Sequence, residues 1–160
     1  MSQLNVDEVF EMAEQMEIDG AAYYRRAAQH VKNMEAVSMF TSLALMEDQH
    51  VKTFTDLRSK VQSNPPVNVD PDGEAANYIR SLVEGRVFSK DEDFWVTLSE
   101  KESMEQILKL AIGKEKDSIL FYLGLKDLVP AEWGKEEMDH IIDEEKNHVT
   151  VLSRILASLK

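Results

Sequence analysis

Two Glu-x-x-His pairs, Glu47/His50 and Glu145/His148, stand 98 residues apart, and each has a lone glutamate 30 residues upstream, Glu17 and Glu115. The surroundings repeat as well. Glu17-Ile-Asp-Gly-Ala-Ala-Tyr-Tyr24 reads against Glu115-Lys-Asp-Ser-Ile-Leu-Phe-Tyr122, and Met46-Glu47-Asp48-Gln49-His50-Val51 reads against Glu144-Glu145-Lys146-Asn147-His148-Val149. One chain therefore carries the same half-site twice. Side chains at i and i+3 of an α-helix lie on nearly one face, so each Glu-x-x-His pair can converge on one point. The midpoints between each lone Glu and its partner are Lys32 and Pro130. If the chain reverses there, each lone Glu comes level with its pair in an antiparallel helical hairpin. Two hairpins related by a pseudo-twofold bring all six side chains together near mid-bundle, so the fold class expected is an all-α four-helix bundle.

Charge says what such a cluster is for. Four buried carboxylates without a partner must either cost many kcal/mol or take up protons. Two divalent cations cancel them and leave neutral imidazoles to complete coordination. Oxygen and imidazole donors together suit iron or manganese, and zinc less well at high coordination number. The expected metal ligands are therefore Glu17, Glu47, His50, Glu115, Glu145 and His148, holding two iron ions, with manganese or zinc as other occupants. Solvent-facing glutamates and core histidines would account for one Glu-x-x-His. They do not account for two with matched upstream glutamates.

Composition narrows the function. A chain of 160 residues suits a single domain with a sizeable core. It has no cysteine, which excludes disulfides, thiolate zinc sites and a rubredoxin-type iron site, and fits a reducing compartment. Met1-Ser-Gln-Leu-Asn-Val-Asp-Glu8 has no basic region followed by an apolar one, so no signal peptide is expected and the location expected is cytoplasmic. No apolar run approaches the length of a membrane span. The net charge of −12 argues against nucleic acid as a partner.

Along the chain, Asn5-Val-Asp-Glu8 reads as a capped helix start. Helices are expected over about 5–32, 34–62, 99–127 and 132–158, with Ser99-Glu-Lys-Glu102 as a second capping box and a crossover over 63–98. Ser63-Asn-Pro-Pro-Val-Asn-Val-Asp-Pro-Asp-Gly73 breaks the second helix. A short helix fits 74–84. Val87, Phe88, Phe94 and Trp95 suggest that the rest of the crossover packs on the bundle. A link of this length lets the second hairpin run back along the first.

This constellation resembles the rubrerythrin-like branch of the ferritin-like di-iron-carboxylate family, over essentially the whole chain. The resemblance implies a ferritin-like four-helix bundle of two antiparallel hairpins joined by a long crossover. It places Glu17, Glu47, His50, Glu115, Glu145 and His148 on the family's ligand positions, and Tyr24 and Tyr122 where the family often has tyrosines beside the ligands. It implies a non-haem di-iron protein reacting with peroxide or dioxygen, of peroxidase, oxidase or ferroxidase type and linked to oxidative stress. An external electron donor is implied, since this chain holds no second redox centre. A homodimer is also implied, with an exchanged hairpin as one of its forms. The chain departs from rubrerythrin in lacking the cysteine-ligated domain. Ile112 also stands where rubrerythrins carry an extra glutamate. The alternative is a non-enzymatic protein that binds iron for storage, delivery or sensing. A third reading is a structural site filled by zinc or manganese.

Several residues stand beside this set. Tyr24 and Tyr122 each follow a lone Glu by seven residues, two turns on one face, where a hydroxyl can bond a ligand carboxylate or pass an electron. Glu14 lies one turn before Glu17 and corresponds to Ile112, so it is either the displaced extra carboxylate or, as favoured here, a flank residue pointing to water. Glu144 competes with Glu145 for His148, and the repeat favours Glu145. His30 and His140 match nothing in the repeat and read as surface or turn residues. The methionines read as core filling, and Trp95 and Trp133 as anchors of the crossover and the last turn.

Overall fold

The computed structural model describes residues 5–65, 69–84, 95 and 98–160. Five helices account for them: α1 Val6–His30, α2 Met34–Ser63, α3 Glu74–Glu84, α4 Met104–Asp127 and α5 Ala131–Ser158. There is no strand among the described residues. α1 pairs with α2 and α4 with α5, and the two hairpins meet through α1 against α4 and α2 against α5. This is an all-α bundle of two antiparallel hairpins. Both reversals fall at the sequence midpoints, at residues 31–33 and 128–130. No described helix is long and apolar enough to cross a membrane.

The helix starts follow local chemistry. The Asn5 side chain accepts from the Glu8 amide, and the Glu8 carboxylate accepts from the Asn5 amide, so two amides that a helix start leaves orphaned are satisfied reciprocally. The second box is a correction to the sequence reading. Ser103 and Gln106 form it, and α4 begins at Met104, not near 99. Ser99 does bond Glu102 side chain to side chain, at 2.8 Å. The apolar run that a helix can bury starts only at Ile107, and Ser103-Met-Glu-Gln106 stands directly before it. α5 also has a broken start. Its backbone leaves helical geometry at Gly134, so Ala131–Trp133 form a separate turn after Pro130. Gly134 sits hard against α2: a Cβ there would collide with Leu57 Cδ2.

The core runs the length of the bundle. Phe10, Phe40, Phe54 and Phe121 are fully buried, as are Tyr24 and Tyr122. Each large apolar side chain so buried contributes about 1.5–3 kcal/mol. Near the end of α1 the buried alanine is Ala27, while Ala28, Val51 and Ile119 are only half-buried. Trp95 seats part of the crossover on α1. A Cβ on Gly20 would lie 3.0 Å from its indole nitrogen, and its ring lies 4.6 Å from that of Tyr23. Val87, Phe88 and Phe94 lie outside the described residues. Trp133 is half-buried in the first turn of α5.

α3 packs on α4 at a notch made by Gly124. Ile79 fills that notch, and the Tyr78 hydroxyl donates to the Leu120 carbonyl at 2.8 Å. A Cβ on Gly124 would lie 2.6 Å from both Tyr78 Cδ1 and Ile79 Cδ1. Gly124→Val should therefore cost about 1–3 kcal/mol by overpacking, lowering the melting temperature by about 3–10 °C. An unchanged melting temperature would mean that α3 does not seat there.

Candidate metal centre

α1 and α2 supply Glu17, Glu47 and His50, and α4 and α5 supply Glu115, Glu145 and His148. None of the six is more than 3% exposed. The structure brings all of them together. His50 Nδ1 lies 2.8 Å from Glu145 Oε1 and 3.3 Å from both Glu17 Oε2 and Glu47 Oε2. His148 Nδ1 lies 3.2 Å from Glu145 Oε2, 3.3 Å from Glu47 Oε1 and 3.4 Å from Glu115 Oε1. The two rings are stacked with centroids 5.9 Å apart.

Two groups of donor atoms emerge, each spanning no more than 4.8 Å: Glu17, Glu47, His50 and Glu145, and then Glu47, Glu115, Glu145 and His148. Glu47 and Glu145 belong to both groups, one from each hairpin. Glu17 with His50, and Glu115 with His148, belong to one group each. His50 Nδ1 bonds Glu17 Oε2, but several of the other donors are close without being aligned to bond one another. Glu47 Oε1, both Glu145 oxygens and both His148 nitrogens are buried with no hydrogen-bond partner among the described residues. Each buried polar atom left so costs about 1–3 kcal/mol. The atoms that face one another are carboxylate oxygens and imidazole Nδ1 atoms, the donor chemistry of a divalent transition metal. The residues present therefore fit a metal pair.

Electrostatics without metal point the same way. Burial, with repulsion from Glu145, Glu17 and Glu115, pushes Glu47 well above the usual carboxylate range. Burial and Glu145 raise Glu115 to about 8. Burial would depress His148, but Glu115, Glu145 and Glu47 around it outweigh burial and raise it to about 12. His50 is raised in the same way by Glu145, Glu17 and Glu47. Without a cation, burial and mutual repulsion thus favour protons where cations would stand: Glu47, Glu115 and both imidazoles hold theirs more tightly than free side chains do.

The tyrosines tie the hairpins across the centre. The Tyr24 hydroxyl donates to Glu115 Oε1, and the Tyr122 hydroxyl donates to Glu17 Oε1. Each tyrosine thus holds the lone glutamate of the other half, not the one two turns before it. Trp95 packs edge-on against Tyr24 with centroids 5.2 Å apart, whereas Phe54 and Phe121 flank Tyr122.

Other expectations need correcting. Glu14 does not point freely to water. It is 16% exposed and pairs with Arg58 Nη1 at 3.1 Å. Arg58 also grips Asp7 with two bonds of 2.7 and 2.8 Å. The partner lies 44 residues on, in α2, so periodicity along α1 could not show it. Glu144 does not compete for His148. It reaches across the hairpins to His50 Nε2 at 2.7 Å. The only sequence sign of this is the mismatch at its repeat counterpart, Met46. His140 is exposed beside Glu144, and the ring of His30, at the end of α1, donates to the Glu102 carbonyl at 3.0 Å.

No family model matches the chain, and no curated protein matches it. Among solved structures, it superposes on a protein from Thermotoga maritima provisionally named a ferritin-like diiron-carboxylate protein, with a TM-score of 0.71 and 20% identity over 100% of this chain and 99% of that one. At that identity the likeness speaks for the architecture: the chain has a ferritin-like fold.

Proposed function

We propose that the chain is a rubrerythrin-like, non-haem di-iron protein that reacts with peroxide or dioxygen. One observation carries this reading: two overlapping donor sets, each with an imidazole and a carboxylate of its own, share Glu47 and Glu145. Carboxylates common to two donor sets suit a site for two cations. Glu47 and Glu145 would serve both ions, with Glu17 and His50 holding one and Glu115 and His148 the other. Bound iron supplies one-electron redox chemistry toward oxygen species. The chain's own residues do the rest. Tyr24 and Tyr122 hold Glu115 and Glu17 in place by hydrogen bonds, an orientation of ligands that tunes metal sites generally. Phe40 stacks on Tyr24, and Phe54 and Phe121 flank Tyr122, which shields the two tyrosines from water. The electrons of a complete cycle come from an external donor, and the working form is a homodimer.

Stopped-flow absorbance tests this. Protein loaded with ferrous iron without oxygen should develop ferric absorbance on mixing with hydrogen peroxide, faster than ferrous iron in buffer. Oxidation no faster than in buffer would reject the reading. Arg58 holds Glu14 at the flank, so Glu14→Ala should change the rate by less than about threefold, or about 0.7 kcal/mol on the barrier. A much larger loss would make Glu14 the displaced extra carboxylate.

A further inference from the structure

The repeat that builds the centre is broken at one position beside it. The Glu144 carboxylate accepts a 2.7 Å hydrogen bond from His50 Nε2, while its other oxygen faces His140 Nε2 at 3.3 Å. Its counterpart in the first half is Met46, which has no group able to accept such a bond. His148 Nε2 accordingly has no hydrogen-bond partner among the described residues. His50 and His148, matched in sequence and in their carboxylate neighbours, thus differ at the nitrogen that faces away from the centre.

We infer that Glu144 makes the two metal positions unequal, so that the His50 position binds first and more tightly. The inference rests on the di-metal reading above. A carboxylate bonded to one imidazole nitrogen fixes the ring's orientation, assigns the proton to Nε2 and leaves Nδ1 a stronger donor to a cation. His50 has this support and His148 does not. The same side opens to solvent: a surface depression of about 610 Å³ is lined by Glu144, His140 and His50 among others. An entering cation therefore meets Glu144 on its way to the His50 position. Glu144 is a positioning residue in this account, acting on the metal only through His50.

Cobalt(II) titrations of metal-free protein, read by calorimetry and by visible absorbance of the bound ion, test this. The wild type should bind two cobalt ions in two resolved steps. Glu144→Ala should weaken the tighter step by about 10–100-fold, the usual cost of losing a ligand's supporting partner, and leave the weaker step unchanged. Glu144→Gln, whose amide oxygen still accepts the bond, should lose less than about tenfold. At 31% side-chain exposure, Glu144 can be replaced without opening the core, and circular dichroism checks that both variants fold. Equal wild-type steps, or a Glu144→Ala variant that weakens neither step or both alike, would overturn this inference alone. Fewer than two cobalt ions on the wild type would overturn the di-metal reading with it.

Discussion

Loading the metal-free protein with ferrous or manganous ions should raise its melting temperature by about 10–20 °C. A ligand that binds only the folded state, at 100 times its dissociation constant, stabilises by about 2.7 kcal/mol per site. Two sites give about 5 kcal/mol, and in a chain of this size each kcal/mol is worth about 2–4 °C. The increment should depend on pH in a definite sense. The folded, metal-free state holds protons more tightly than the unfolded chain at Glu47, Glu115, His50 and His148. For the carboxyls, that preference weakens the metal-free fold as pH rises above their unfolded values and through about 8 for Glu115. For the imidazoles, the stability gained is complete below their unfolded value and is lost as pH rises, through about 12 for His148. Both trends lower metal-free stability toward alkaline pH, while cations compete with fewer protons for the same atoms. The metal increment should therefore be larger at about pH 8 than at about pH 6. Differential scanning calorimetry at the two pH values checks this, and equal melting temperatures with and without metal would mean that these side chains bind no cation.

Substitution of the shared carboxylates should damage the centre more than substitution of the unshared ones. Glu47 and Glu145 fall in both donor groups, Glu17 and Glu115 in one each. Glu47→Gln or Glu145→Gln should therefore weaken both positions, each by more than the about 10–100-fold cost of losing a supporting partner. Glu17→Gln or Glu115→Gln should empty one position and spare the other. Stoichiometry after dialysis against a weak chelator separates the two classes. Four variants behaving alike would contradict the bridging assignment.

The sequence carried most of this arrangement because the ligands repeat. Spacing of 30 residues between Glu17 and Glu47, and again between Glu115 and Glu145, located both reversals. Pro130 marks the second of them chemically as well. What the spacing could not carry was contact between helices. That Tyr24 bonds Glu115 rather than Glu17, that Arg58 holds Glu14, and that Glu144 reaches His50 all depend on how two helices are set side by side. Residues 44 to 94 apart make those contacts, and no local pattern records them. The start of α4 is ambiguous in the sequence for a different reason: two Ser-x-x-Glu/Gln boxes stand four residues apart, and only the apolar run from Ile107 decides between them. The notch at Gly124 was likewise invisible, since a helical glycine shows nothing of the side chain that will fill the space beside it.

Metal content of the fully loaded wild-type chain tests the account most directly. Protein stripped of metal, saturated with ferrous iron in the absence of oxygen, freed of excess and measured by mass spectrometry of the metal should carry two iron ions per chain. One ion or fewer per chain would contradict the di-metal centre, whatever the fold.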